Sequence, residues 1–115
     1  MYVPDWSVVC ALADANDWAE KLGDSVGITI DTYHTWWDPN LLIEVARAGK
    51  NGKLIAFHVS DWLVPTNDLL LDRGLPGKGV IDIAAIRQHM ESAGFQGWVE
   101  VEKTSPNCSV KSDLL

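Results

Sequence analysis

Apolar positions follow a helical period in three stretches, and after each of them comes a denser, strand-like run. Val8, Val9, Leu12, Ala15, Trp18, Ala19 and Leu22 recur at helical spacing, with Asp5 or Ser7 available as the cap and Gly23 as the stop. Val26 to Ile30 then reads as a strand apolar on both faces, as in a parallel sheet covered on one side and packed inside a barrel on the other. Asp38 and Pro39 open a second helix that turns Leu41, Leu42, Val45 and Ala46 inward and stops at Gly49. Asn51-Gly52 turns the chain into a strand from Leu54 to Val59. Asp82 caps a third helix with Ile83, Ile86, Met90 and Ala93 as its buried stripe and Gly94 as its stop, before a strand from Gly97 to Glu102.

This α-β-α-β-α-β order with short connections predicts parallel strands joined by right-handed crossovers, their C-terminal ends on one rim. A closed parallel barrel needs about eight strands and typically about 250 residues. With 115 residues the sheet is expected to be incomplete. The expected organisation is one domain over 1–103 and a flexible polar tail over 104–115. The connection 61–79, rich in Pro, Gly and Asp, is long for a compact domain and leaves a strand end, which makes it a candidate lid.

Polar residues that carry chemistry cluster where strands end. Asp31 and His34 close the first strand, His58 and Asp61 the second, and Glu100 and Glu102 lie on one face of the third. Position at the strand end favours Glu102 over Glu100. Asp31, His58 and Glu102 are hard oxygen ligands plus one imidazole, a set suited to Mn²⁺, Mg²⁺, Co²⁺ or Zn²⁺. A metal so held would polarise a carbonyl and its neighbouring hydroxyl, and a carboxylate would serve as general base.

Each residue also has a plainer reading. Asp31 and His34 fit ordinary capping and turn chemistry equally well. His58 alone fits a hydrogen-bonded core histidine, and only its recurrence with Asp31 and Glu102 at equivalent strand ends points to a ligand. Arg73 is a donor fork for a substrate oxygen or a salt bridge fixing its loop. Gly74, Gly77 and Gly79 do not fit a Walker spacing. Trp36, Trp37 and Trp62 follow the first two rim motifs and would either wall a sugar site or pack the ends of the sheet. His89, inside the third helix, reads as structural or solvent-facing.

A formal charge of −7 with only nine Lys and Arg, scattered, excludes a nucleic-acid or anionic-membrane surface. No apolar run reaches the roughly 18 residues of a membrane span, and no export signal precedes the first helix. Cys10 and Cys108 stand apart, without a disulfide or metal-type spacing, which fits reduced thiols and a cytoplasmic setting.

Four motifs in order then resemble a known family: Asp31-Thr32-Tyr33-His34; His58-Val59-Ser60-Asp61; Arg73-Gly74-Leu75-Pro76-Gly77-Lys78-Gly79-Val80-Ile81-Asp82; and Gly94-Phe95-Gln96-Gly97-Trp98-Val99-Glu100-Val101-Glu102. They resemble the second half of the sugar isomerase/epimerase family with a xylose-isomerase-like barrel, from the helix after its fifth strand to its eighth strand. The resemblance implies a partial (half) TIM barrel with Asp31, His58 and Glu102 as ligands of a divalent metal, and Glu102 as an acid/base residue. It likewise implies that His34 and Arg73 hold substrate hydroxyl oxygens, and that the substrate is a sugar or sugar-derived molecule whose proton moves next to a carbonyl. In the family a further metal-binding glutamate comes from the fifth strand, which would lie ahead of Met1. The chain is therefore expected to be impaired in catalysis, or to serve as a non-catalytic binding or assembly module. The open sheet edges and an apolar inner face predict completion as a homo-oligomer. A related barrel, that of apurinic endonucleases, would need a larger His-rich zinc cluster and a basic groove, whereas this chain has three His.

Overall fold

A computed structural model describes residues 7–103. Its elements are α1 (Leu12–Leu22), β1 (Ile28–Asp31), α2 (Thr32–Thr35), α3 (Leu41–Lys50), β2 (Leu54–Val59), β3 (Asp61–Trp62), β4 (Arg73–Gly74), α4 (Ile83–Ser92) and β5 (Val99–Val101). The main sheet has three strands in the order β1-β2-β5, all parallel, and β3 and β4 form a separate antiparallel ribbon. This is the α/β architecture of a partial TIM barrel, with no closed barrel among the described residues. The predicted tail, 104–115, and the proposed cap Asp5 lie outside the described residues.

Period-2 alternation divides the sheet into two different faces. Ile28, Ile30, Phe57 and Val59 are buried and share one core with Leu12 and Ala19 of α1, Leu41, Val45 and Ala48 of α3, and Ile86 and Met90 of α4. The opposite face carries Thr29, Asp31, His58 and Glu100, of which Asp31 pairs with His58 and His58 with Glu100 in register. The expected apolar inner face is thus corrected: Thr29 is exposed, and the chemistry-bearing residues occupy that side.

The first helix begins later than its apolar period suggested. The Ser7 hydroxyl accepts from the Val9 amide, a local turn that competes with a helix start, and α1 begins after Ala11. Its buried positions are Leu12, Asn16 and Ala19, whereas Trp18 and Leu22 are exposed. Asn16 takes the central position because its amide donates to the Glu44 backbone oxygen (3.0 Å) and carboxylate (2.8 Å) on α3. Asp38 does not cap α3 directly. Its carboxylate accepts from the Leu12 amide (3.1 Å) and the Asn40 amide (2.8 Å), tying the starts of α1 and α3 together.

Gly49 is likewise no helix stop, since α3 continues to Lys50 and turns at Asn51-Gly52, where Gly52 has φ +65°. Its lack of a Cβ lets α3 approach α4, because a methyl there would collide with the Ala93 carbonyl oxygen. Leu42 is correspondingly half-exposed and Ala48 takes the inward place. The third helix follows the sequence closely: Asp82 accepts from the Ala85 amide, and Ile86 and Met90 are buried.

Candidate metal centre

The site is assembled at the C-terminal ends of the main-sheet strands, the end at which parallel barrels carry their chemistry. Asp31 ends β1 and also caps α2, its carboxylate accepting from the Tyr33 amide at 2.9 Å. Thr32 joins the two strand ends: its hydroxyl donates to the Ser60 carbonyl (2.7 Å) and accepts from the Ser60 amide (3.0 Å). His58 stands beside Asp31 in the β1–β2 register, and the Glu102 amide donates to the Val59 carbonyl just beyond the last β5 pair. One ligand atom each from Asp31, His58 and Glu102 lies within 4.8 Å of the others.

Arg73, on β4, reaches into this group. Its Nη1 is 3.0 Å from Glu102 Oε2 and 3.6 Å from Asp31 Oδ2, and its Nη2 is 2.8 Å from His34 Nε2. The guanidinium stacks on the Tyr33 ring at 4.7 Å, and the Tyr33 hydroxyl donates to the Leu69 carbonyl. Both ring nitrogens of His58 face carboxylates, Nδ1 toward Glu102 at 3.5 Å and Nε2 toward Glu100 at 3.3 Å.

Burial pushes the Asp31 carboxyl up to about 6 against the opposing pull of Arg73, and the neighbouring Glu102 adds to the rise. Burial would also raise Glu102, but its hydrogen bond with Asp31 and the charges of Arg73 and His58 hold it below the usual carboxylate range. The two carboxyls therefore behave as a proton-sharing pair. His34 is pushed down to about 4, first by burial and then by the Arg73 charge. A neutral His34 accepts from the Arg73 guanidinium through Nε2.

The structure thus brings Asp31, His34, His58, Arg73 and Glu102 together. Trp62 borders the group through Tyr33 (ring centroids 5.2 Å apart), and Trp36 lies one ring further out, 5.9 Å from Trp62. Trp37 lines a small cleft with Cys10, His34 and Asp38 and has no ring contact with that stack among the described residues. His89 lines a surface hollow between α3 and α4, away from the cluster.

Two contributors were not read as such from the sequence. Tyr33 is the platform for Arg73. Asp61, placed on the rim by sequence, is fully buried and accepts from the Trp62, Gly77 and Ile81 amides at 2.9, 2.9 and 3.0 Å. It pins the glycine-rich segment of the long connection. The only advance signal was an Asp followed at a distance by several glycines.

The donor set fits a divalent cation: two carboxylates and an imidazole converge, and burial penalises the charge on Asp31, a penalty that a bound cation would offset. Together, the parallel sheet and the strand-end cluster define a segment of an α/β barrel with a candidate metal centre. The chain belongs to the Xylose isomerase-like TIM barrel family, whose pattern it matches over residues 2–114. The crystal structure of protein SMc04130 from Sinorhizobium meliloti 1021 is similar, at 52% identity and a TM-score of 0.82. That match covers 85% of this chain and 36% of the Sinorhizobium protein, so the chain spans little more than a third of that protein's length. No curated protein matches. Among the described residues, no helix is long and apolar enough to cross a membrane.

Proposed function

We propose that this chain carries the metal-binding half of a sugar isomerase or epimerase site, with Asp31, His58 and Glu102 as ligands of a divalent cation. The observation that supports this reading is the convergence of their ligand atoms within 4.8 Å at the ends of successive parallel strands. When bound, the cation would polarise a sugar carbonyl and its neighbouring hydroxyl. Glu102 is kept ionised below the usual carboxylate range, and at 43% side-chain exposure it is open to substrate. It takes the proton from the carbon next to the carbonyl and returns it to the neighbouring position. Glu100 orients the His58 ring from the far side. Arg73 and neutral His34 offer N–H donors to sugar hydroxyls, and Tyr33 with Trp62 supplies the apolar wall.

A specific observation favours a second reading, that of a binding or assembly module. The sheet stops at β1, so the edge next to Asp31 lacks a neighbouring strand among the described residues. A second copy of the chain pairing with that edge would close the site, and we place this assembly in the cytoplasm.

Thermal melting with and without excess Mn²⁺, on wild type, Asp31→Ala and His58→Ala, tests the centre. A metal-dependent rise that both substitutions abolish supports it, and the absence of a rise in wild type overturns it. Deuterium exchange at the carbon next to a ketose carbonyl in the presence of Mn²⁺ separates the readings. Metal stabilisation without exchange leaves the module.

A further inference from the structure

A second cavity, of about 250 Å³, opens beside the candidate metal centre and is lined by Leu63, Asp72, Arg73, Leu75, Lys78 and Lys103 among others. It is smaller than the roughly 300–1,000 Å³ of a pocket for a drug-sized ligand, so it suits one chemical group and not a whole sugar. Its lining is cationic in a chain whose formal charge is −7.

Among the described residues no lysine forms an ion pair, and Lys78 and Lys103 are set apart by sharing one hollow with each other and with Arg73. The single acid in the lining, Asp72, already accepts from the Asn67 and Asp68 amides at 2.8 and 2.9 Å. Arg73 contributes as well. Its side chain is only 8% exposed, its terminal nitrogens face Glu102, Asp31 and His34, and its Nε has no hydrogen-bond partner.

The backbone that bears Lys78 is held in place. Asp61 accepts the Gly77 and Ile81 amides on either side of it, Lys78 N–H donates to the Leu75 carbonyl, and Gly77 turns the chain at φ +85°. Gly79 sits so close to Trp62 that a Cβ would meet the Trp62 carbonyl oxygen. Lys103 directly follows Glu102, whose amide is bonded to β2. Two ammonium groups that form no ion pair among the described residues, and a buried donor without an acceptor, thus line one hollow, and Arg73 joins that hollow to the metal centre.

We propose that this cavity binds an anionic group, a phosphate or a carboxylate, on the molecule whose hydroxyl end meets Asp31, His58 and Glu102. The identity of that other end rests on the metal-site reading, but the anion site does not. The substrate class is then a sugar phosphate or a sugar acid, in place of a neutral sugar.

The test titrates the full chain, in EDTA and at constant ionic strength, with inorganic phosphate and separately with acetate, using chloride as the control. Saturable binding of either anion is expected, weakened about tenfold by Lys78→Gln and by Lys103→Gln, with Mn²⁺ affinity unchanged in both variants. Stronger phosphate binding assigns a phosphate ester, and stronger acetate binding a carboxylate. Binding no tighter than chloride, or affinities that both lysine variants leave unchanged, overturns the proposal. His58→Ala keeps the two ideas apart: it is expected to lose Mn²⁺ stabilisation and retain anion binding.

Discussion

Arg73 Nη1 stands 3.0 Å from Glu102 Oε2, a buried guanidinium bracing a carboxylate that ends a different sheet. The same nitrogen is 3.6 Å from Asp31. Arg73 therefore supplies the positive charge that keeps two neighbouring carboxyls tolerable when no other cation is present. Removing the guanidinium leaves the nearly buried Asp31 carboxyl without that charge, so Arg73→Ala is expected to destabilise the metal-free protein by about 1–3 kcal/mol. The deficit is expected to shrink in Mn²⁺, which replaces the lost charge. Urea unfolding in EDTA and in Mn²⁺ measures both.

Two opposing titrations sit in this site. Asp31, pushed up to about 6, binds a proton more tightly folded than unfolded, so its contribution to stability falls as pH rises from about 4 through 6. His34, pushed down to about 4, binds its proton less tightly folded, so its contribution grows over nearly the same window, from about 4 to 6.5. The two slopes offset each other. His34→Gln removes one of them, and the metal-free variant is expected to lose stability as pH rises from 4 to 6 where wild type does not. A series of melting temperatures across that range in EDTA decides the matter, and parallel curves for the two proteins would refute the opposition.

Much of this site was legible in the sequence because strand alternation and parallel register are short-range rules. Once Leu54 to Val59 is a strand, His58 must face away from Phe57 and Val59, and the register sets it beside Asp31. What escaped reading depends on contacts between elements. Periodicity along α1 put Trp18 inside, but a polar Asn16 takes the buried position because Glu44, on another helix, satisfies its amide. The two-residue strands β3 and β4 are too short to leave a pattern, yet they deliver Arg73 to the cluster. Gly49 reads as a stop along the chain, and only the approach of Ala93 from α4 explains it.

The long connection is expected to be ordered at its glycine end, not an open lid throughout. Asp61 is fully buried and satisfies three backbone amides, at Trp62, Gly77 and Ile81. Asp61→Asn turns one acceptor into a donor facing donors, with a cost of about 1–3 kcal/mol. Hydrogen exchange is expected to show Gly77 and Ile81 amides protected in wild type and fast in the variant, while the α4 amides stay protected.

Among the described residues β1 and β5 each have one neighbour, β2, so each presents a row of backbone groups unpaired there, and such edges template pairing with another chain. The outer side of β5 adds apolar surface to its edge: Val99 and Val101 are partly exposed, and Trp98, just before the strand, is 88% exposed. In a closed barrel a further strand would pair with each edge and a helix would cover that side. A second copy of the chain is one partner able to pair with such an edge. Light scattering after gel filtration is therefore expected to give a mass above the monomer's 12.7 kDa at micromolar concentration. Trp98→Lys, at the end of β5 remote from Glu102, is expected to shift that mass toward the monomer without loss of secondary structure. A wild type that elutes as a monomer at every concentration would show that the edges are shielded in some other way.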